Sequence, residues 1–117
     1  MKVIRNMNLE ELNSYMAGIN ISSIINWAKS YHSSSKGVCF WDIENEYQAN
    51  TWFYPICAVF EIPDELLSES YGIYPDWNTV DENLVLKEYC IPSYSVENSK
   101  LLYWYWKGGS KTKYNIA

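Results

Sequence analysis

A carboxylate interrupts what otherwise reads as a buried strand at Glu88-Tyr89-Cys90-Ile91. Counting alternate residues sets Leu84, Leu86, Glu88 and Cys90 on one face and Val85, Lys87, Tyr89 and Ile91 on the other. Glu88 thus shares a face with two aliphatic side chains and a thiol. A carboxylate so placed is costly unless a partner neutralises it or a reaction uses it. It is therefore either ion-paired inside the fold or the acid of a site. Glu61, at the end of a second apolar run, is another candidate acid, although exposure is the usual fate of a strand-end carboxylate.

The cation with the most suggestive placement is Arg5, which ends the short apolar segment Lys2 to Arg5 just before a helix start. Arginines in such places are most often surface ion pairs. A strand end beside a helix entry is also where anion-binding groups are set. His32 is the only histidine, so a histidine-centred metal site or hydrolytic dyad has little to build from. The chain has no nucleophile elbow, no glycine-rich phosphate loop and no paired-cysteine zinc pattern. Hydrolase and nucleotide triphosphatase readings fall away. Cys39, Cys57 and Cys90 are an odd, widely spaced set in apolar segments, which favours buried free thiols over disulfide or metal ligands.

The elements that must position these residues follow from periodicity. Asn8 can cap a helix, Glu11 stands where a capping box wants its acid, and Leu9, Leu12 and Met16 recur at helical spacing up to Gly18. Ser22-Ser23 introduces a second helix carrying Ile24, Ile25, Trp27 and Ala28, followed by the polar loop 32–37. Val38 to Trp41 reads as a strand, Asp42 to Phe53 as a helical connection, and Ile56 to Ile62 as a central strand apolar on both faces. Tyr71 to Asn78 mixes glycine, proline and aromatics and reads as an ordered loop. Leu84 to Ile91 and Leu101 to Trp106 are strands, and residues 108–117 a flexible tail. The expected fold is a single α+β domain over residues 1–117, with a mostly antiparallel central sheet flanked by N-terminal helices.

With 117 residues and 48% hydrophobic content the chain suits one domain. Nine basic against 14 acidic residues give a net charge of -5, which argues against direct nucleic-acid binding by bulk electrostatics. No run approaches bilayer length, and the polar start is unlike a secretory signal, so the expectation is a cytoplasmic protein with no membrane contact. An aromatic share of 17% suggests either a ring-filled core or a surface that grips a partner or a flat ring.

Val3-Ile4-Arg5-Asn6 into Leu9-Glu10-Glu11-Leu12, the serine-glycine approach to Val38-Cys39-Phe40-Trp41, and Glu88-Tyr89-Cys90-Ile91-Pro92-Ser93-Tyr94-Ser95 resemble small ADP-ribosyltransferase-like proteins. The resemblance spans most of the chain on short motifs. In that superfamily an arginine or histidine ends the first strand, a serine-containing or aromatic strand follows, and a glutamate lies on a late strand. Compact members occur in phages and mobile elements, where they modify host or defence proteins, and some inhibit CRISPR effectors. The resemblance implies NAD as cofactor, with Arg5 holding its phosphates or nicotinamide ribose and Glu88 as the late glutamate. Ser34 and Ser35 stand nearest the middle-strand serine, although they precede the strand and lack the family's threonine.

Such residues make coherent chemistry, because breaking the nicotinamide-ribose bond leaves an oxocarbenium-like sugar. A fixed Glu88 would stabilise that charge, at about 3 kcal/mol for a preorganised group. Arg5 would fork onto the diphosphate, and Tyr71, Tyr74 or Trp77 would stack on a ring. The resemblance thus implies an NAD-dependent transferase acting on a host or defence-system protein, an anti-CRISPR activity among the implied roles. A second reading is a non-catalytic inhibitor that blocks a partner through an aromatic, acidic face, mimicking phosphate charge on a basic nucleic-acid-binding surface. A phosphotransfer enzyme acting on RNA ends is a weaker third, since it needs several basic ligands.

Overall fold

The computed structural model describes residues 1–22, 33–34, 37–75, 83–107 and 114–115. Strand β1 (Lys2–Met7) runs two residues beyond the expected end and leads through Asn8 into helix α1 (Leu9–Met16). The Asn8 side chain caps this helix by accepting from the Glu11 N–H at 2.8 Å. Gly18, at φ 82°, takes the left-handed conformation that ends the helix. Short strands β2 (Ile21–Ser22) and β3 (Ser33–Ser34) precede β4 (Gly37–Asp42). A 3-10 turn (Ile43–Asn45) and helix α2 (Glu46–Thr51) connect to β5 (Ile56–Glu61). Then come β6 (Ser68–Pro75), β7 (Asn83–Ile91), β8 (Ser93–Tyr94), β9 (Lys100–Trp106) and β10 (Tyr114–Asn115).

The main sheet is antiparallel throughout, in the order β10-β9-β5-β1-β4-β7-β6 with β3 on β4, and six of its strands are six to nine residues long. This is an α+β domain. At its centre lies β1, with both edges paired, to β5 and β4, and a core cluster on each face, so Val3 to Met7 are all buried. The expected strands at 38–41, 56–62, 84–91 and 101–106 all take their places. One expectation is corrected: Tyr71-Gly72-Ile73-Tyr74-Pro75 belongs to the edge strand β6 and not to a loop. Gly and Pro are tolerated there because an edge strand's outer N–H groups need no ladder partner. The expected helix at 24–31, His32, Ser35 and Trp77 lie outside the described residues.

Two cores sandwich the sheet. On the α1 face Val3, Met7, Leu12, Tyr15, Phe40, Phe60, Ile91 and Tyr94 pack together, with Tyr94 edge-on to Phe40 and Phe60 at centroid separations of 5.2 and 5.3 Å. On the α2 face Ile4, Trp41, Ala49, Trp52, Cys57, Val59 and Tyr105 form the second cluster. Asn6 fastens the connection between α2 and β5: its amide donates to the carbonyls of Tyr54 (2.7 Å) and Ile56 (3.0 Å), and its oxygen accepts from the Tyr54 N–H. The dense aromatic content therefore serves the core in large part.

The cysteine expectation is half corrected. Register sets Cys39 directly opposite Cys90, and the two form a disulfide. Cys57 is a buried free thiol, and burial pushes its pKa up. Gly37 is needed where β4 begins: at φ 107° it lies so close to Ile91 that a Cβ would collide with the Ile91 carbonyl oxygen. No helix among the described residues is long and apolar enough to cross a membrane.

Candidate functional site

Arg5 follows Val3 by one pleat period and therefore points to the α1 face, where it is completely buried. Its guanidinium grips Glu11, Nε to Oε2 at 2.6 Å and Nη2 to Oε1 at 3.0 Å, and Nη1 donates to the Cys39 carbonyl at 2.9 Å. Tyr94 donates its hydroxyl to the same Glu11 carboxylate at 2.7 Å. The guanidinium also lies 5.9 Å from the Phe40 ring centre. Glu11, in the first turn of α1, is thus the only half of the capping box that departs from expectation. Its backbone N–H meets Asn8, while its side chain turns inward to Arg5.

Desolvation alone would lower the Arg5 pKa, but the charge and hydrogen bonds of Glu11 outweigh it and leave the value raised. Tyr94 is held well above the ordinary phenol range, by burial first and by the neighbouring Glu11 charge second. Each member satisfies another inside the buried core. Arg5 is a structural cation as placed, with no approach for an external phosphate.

Glu88 lies on the other side of the sheet. It stands opposite Trp41 of β4, which belongs to the α2-face core together with Leu86. Arg5 and Glu88 therefore do not meet, and the pair does not form a cleft for a dinucleotide. Arg5 pairs with Glu11, and Lys87 with Glu69 at 3.8 Å. Half-buried Glu88 instead adjoins the cysteine pair, its carboxylate oxygen and the sulfurs of Cys39 and Cys90 all lying within 4.8 Å of one another.

The other predicted residues that are described lie on separate strands, β3, β5 and β6. Ser34 stands opposite Gly37 in the β3–β4 pairing. Tyr71 is opposite Lys87 and Tyr74 opposite Leu84, both on β6, and Tyr71 is 64% exposed. Glu61 is a strand-end carboxylate that takes the N-terminal amine at 3.1 Å, which Asp64 also holds at 3.0 Å. Two surface hollows, of about 440 and 430 Å³, lie elsewhere: one between Tyr15, Met16, Val96 and Leu101, the other between Gly18, Asn20, Ser93 and Asn98. Neither is lined by Arg5, Glu88 or Tyr71.

The β6–β7 hairpin extends beyond the strand it is rooted on. β7 pairs with β4 from Glu88 to Ile91, whereas its pairing with β6 continues out to Pro75 opposite Asn83. The outer part of the hairpin is thus a two-stranded ribbon reaching past the end of β4. Tyr71 and Val85 sit diagonally on one of its faces, and Val85 is also 64% exposed. The fifty residues from Gly37 to Leu86 contain no lysine, arginine or histidine but ten carboxylates, and residues 76–82 joining the two strands include Asp76, Asp81 and Glu82.

The chain matches no family model, no curated protein and no solved structure.

Proposed function

We propose that this protein acts by binding, as a non-catalytic blocker that presents the β6–β7 ribbon and its acidic surroundings to a basic surface on a partner protein. The observation that carries this reading is the ribbon itself, with exposed Tyr71 and Val85 on one face, beside the one lysine Lys87 that pairs with Glu69, and with no other basic residue from Gly37 to Lys87. Exposed aromatic and aliphatic anchors within an acidic field fit a positively charged partner, including one whose basic groove holds nucleic acid. Host and defence-system proteins are the partner class that the sequence resemblance suggests.

The test is capture of partners from a bacterial lysate on the immobilised protein, repeated with Tyr71→Ala/Val85→Ser. A basic protein held by the wild type, released by added salt and lost with the double variant, supports the reading. Equal capture by both, or no salt dependence, contradicts it.

NAD-dependent ADP-ribosyl transfer on an ADP-ribosyltransferase-like fold is the second reading, favoured by Glu88 on an apolar face of a late strand. It requires another cation than Arg5 for the diphosphate, because freeing that guanidinium would break a buried ion pair at a cost of about 3–5 kcal/mol.

A further inference from the structure

We propose that Cys39, Cys90 and Glu88 form a redox-gated site for a soft divalent cation such as zinc. Register brings the three together: Cys39 is opposite Cys90, and Glu88, one pleat period before Cys90, stands opposite Trp41 on the same face. Their ligand atoms lie within 4.8 Å of one another. Tetrahedral zinc holds two thiolates about 3.8 Å apart at Zn–S bonds of about 2.3 Å, with a carboxylate oxygen at a similar spacing. Once reduced, the sulfurs need to separate to that spacing, a movement that rotation about χ1 of one cysteine would supply. The thiols are buried while Glu88 is half-buried, so the carboxylate marks the side from which an ion enters.

In the oxidised chain the sulfurs are bonded to each other and offer no thiolate. Two thiols of a cellular reductant, 2 RSH, convert Cys39–S–S–Cys90 to two thiols and RSSR. A divalent cation then replaces the two thiol protons, which leave to solvent. Glu88 supplies the third ligand and water the fourth. This gives Glu88 a role on its own face of the sheet that needs neither Arg5 nor NAD. It also ties β7, and with it the projecting hairpin, to β4 in both redox states.

The test titrates cobalt(II) into the full chain after reduction with a phosphine, following the thiolate-to-cobalt charge-transfer band. One equivalent should bind the reduced protein and none the oxidised protein. Cys57→Ser should bind as the wild type does. Cys39→Ser and Cys90→Ser should lose the band, with circular dichroism reporting that they are folded. Glu88→Gln should keep the band with affinity lowered at least about tenfold, the lower bound for groups that merely support a ligand. Protection of the two thiols from alkylation by bound cobalt in the wild type provides a readout independent of the variants. Absence of the band and of protection in the reduced wild type overturns the proposal. So does a band unchanged in Cys39→Ser or an affinity unchanged in Glu88→Gln.

Discussion

Replacing Glu11 with leucine should be among the most damaging single changes in this chain. The substitution leaves the Arg5 guanidinium without its counter-charge at a position with no solvent exposure, and it strips Tyr94 of its acceptor. Removing one partner of a buried pair costs about 3–5 kcal/mol, because the remaining charge has neither water nor an opposite charge. A domain of this size has about 5–15 kcal/mol of total stability, so the variant should sit close to the edge of folding. The triple replacement Arg5→Met/Glu11→Leu/Tyr94→Phe removes both charges and the hydroxyl together. It leaves the Cys39 carbonyl short of one donor, at about 1–3 kcal/mol, partly offset by added apolar burial. The triple variant should therefore be more stable than Glu11→Leu alone. Urea denaturation of the wild type, Glu11→Leu and the triple variant measures all of this. Glu11→Leu within about 1 kcal/mol of wild type, as expected for an exposed pair, would refute the reasoning. A triple variant less stable than the single would refute it equally.

Gly37→Ala should cost about 2–4 kcal/mol, combining left-handed backbone strain with the clash against Ile91, and should appear as a lower denaturation midpoint with an unchanged slope. Asn6→Leu should cost at least about 2 kcal/mol, since it orphans the Tyr54 and Ile56 carbonyls and the Tyr54 N–H; the same denaturation assay reads it. The Tyr94 contribution to stability should be constant below about pH 10 and fall above it, because Tyr94 ionises at a higher pH folded than unfolded, on top of a decline that the N-terminal amine and Cys57, whose pKa values are also raised, begin at lower pH. The unfolded chain then loses the proton first, and the loss approaches about 1.4 kcal/mol per pH unit for this one group. Tyr94→Phe should make that part of the profile shallower, the remaining slope belonging to Tyr15, Tyr89 and Tyr105, whose pKa values are also raised.

Local signals carried much of the fold. The Asn8 cap, the Gly18 stop, the period-two alternation in β7 and the apolar run of β5 each depend on near neighbours in sequence, and each is seen in the structure. β6 reads as a loop in sequence because Gly72 and Pro75 are loop residues by composition, and an edge position, which makes them acceptable, is a property of the whole sheet. The same limit applies to the site. That Glu88 shares a face with Leu86 and Cys90 was legible, but its neighbour Cys39 is 51 positions from Cys90 and is fixed by strand register alone. Arg5 illustrates the point most sharply. Its partner Glu11 is six residues away and visible as a carboxylate, yet the inward turn depends on Tyr94 and Phe40 closing over it from distant strands. A strand end that suits an anion site suits an internal ion pair equally well.

Arg5 and Glu88 occupy opposite faces of the sheet, and incubation with saturating NAD tests the consequence most directly. Nicotinamide release should remain at the rate seen without protein, for the wild type and for Glu88→Gln alike. Release by the wild type that disappears in a folded Glu88→Gln variant would contradict it.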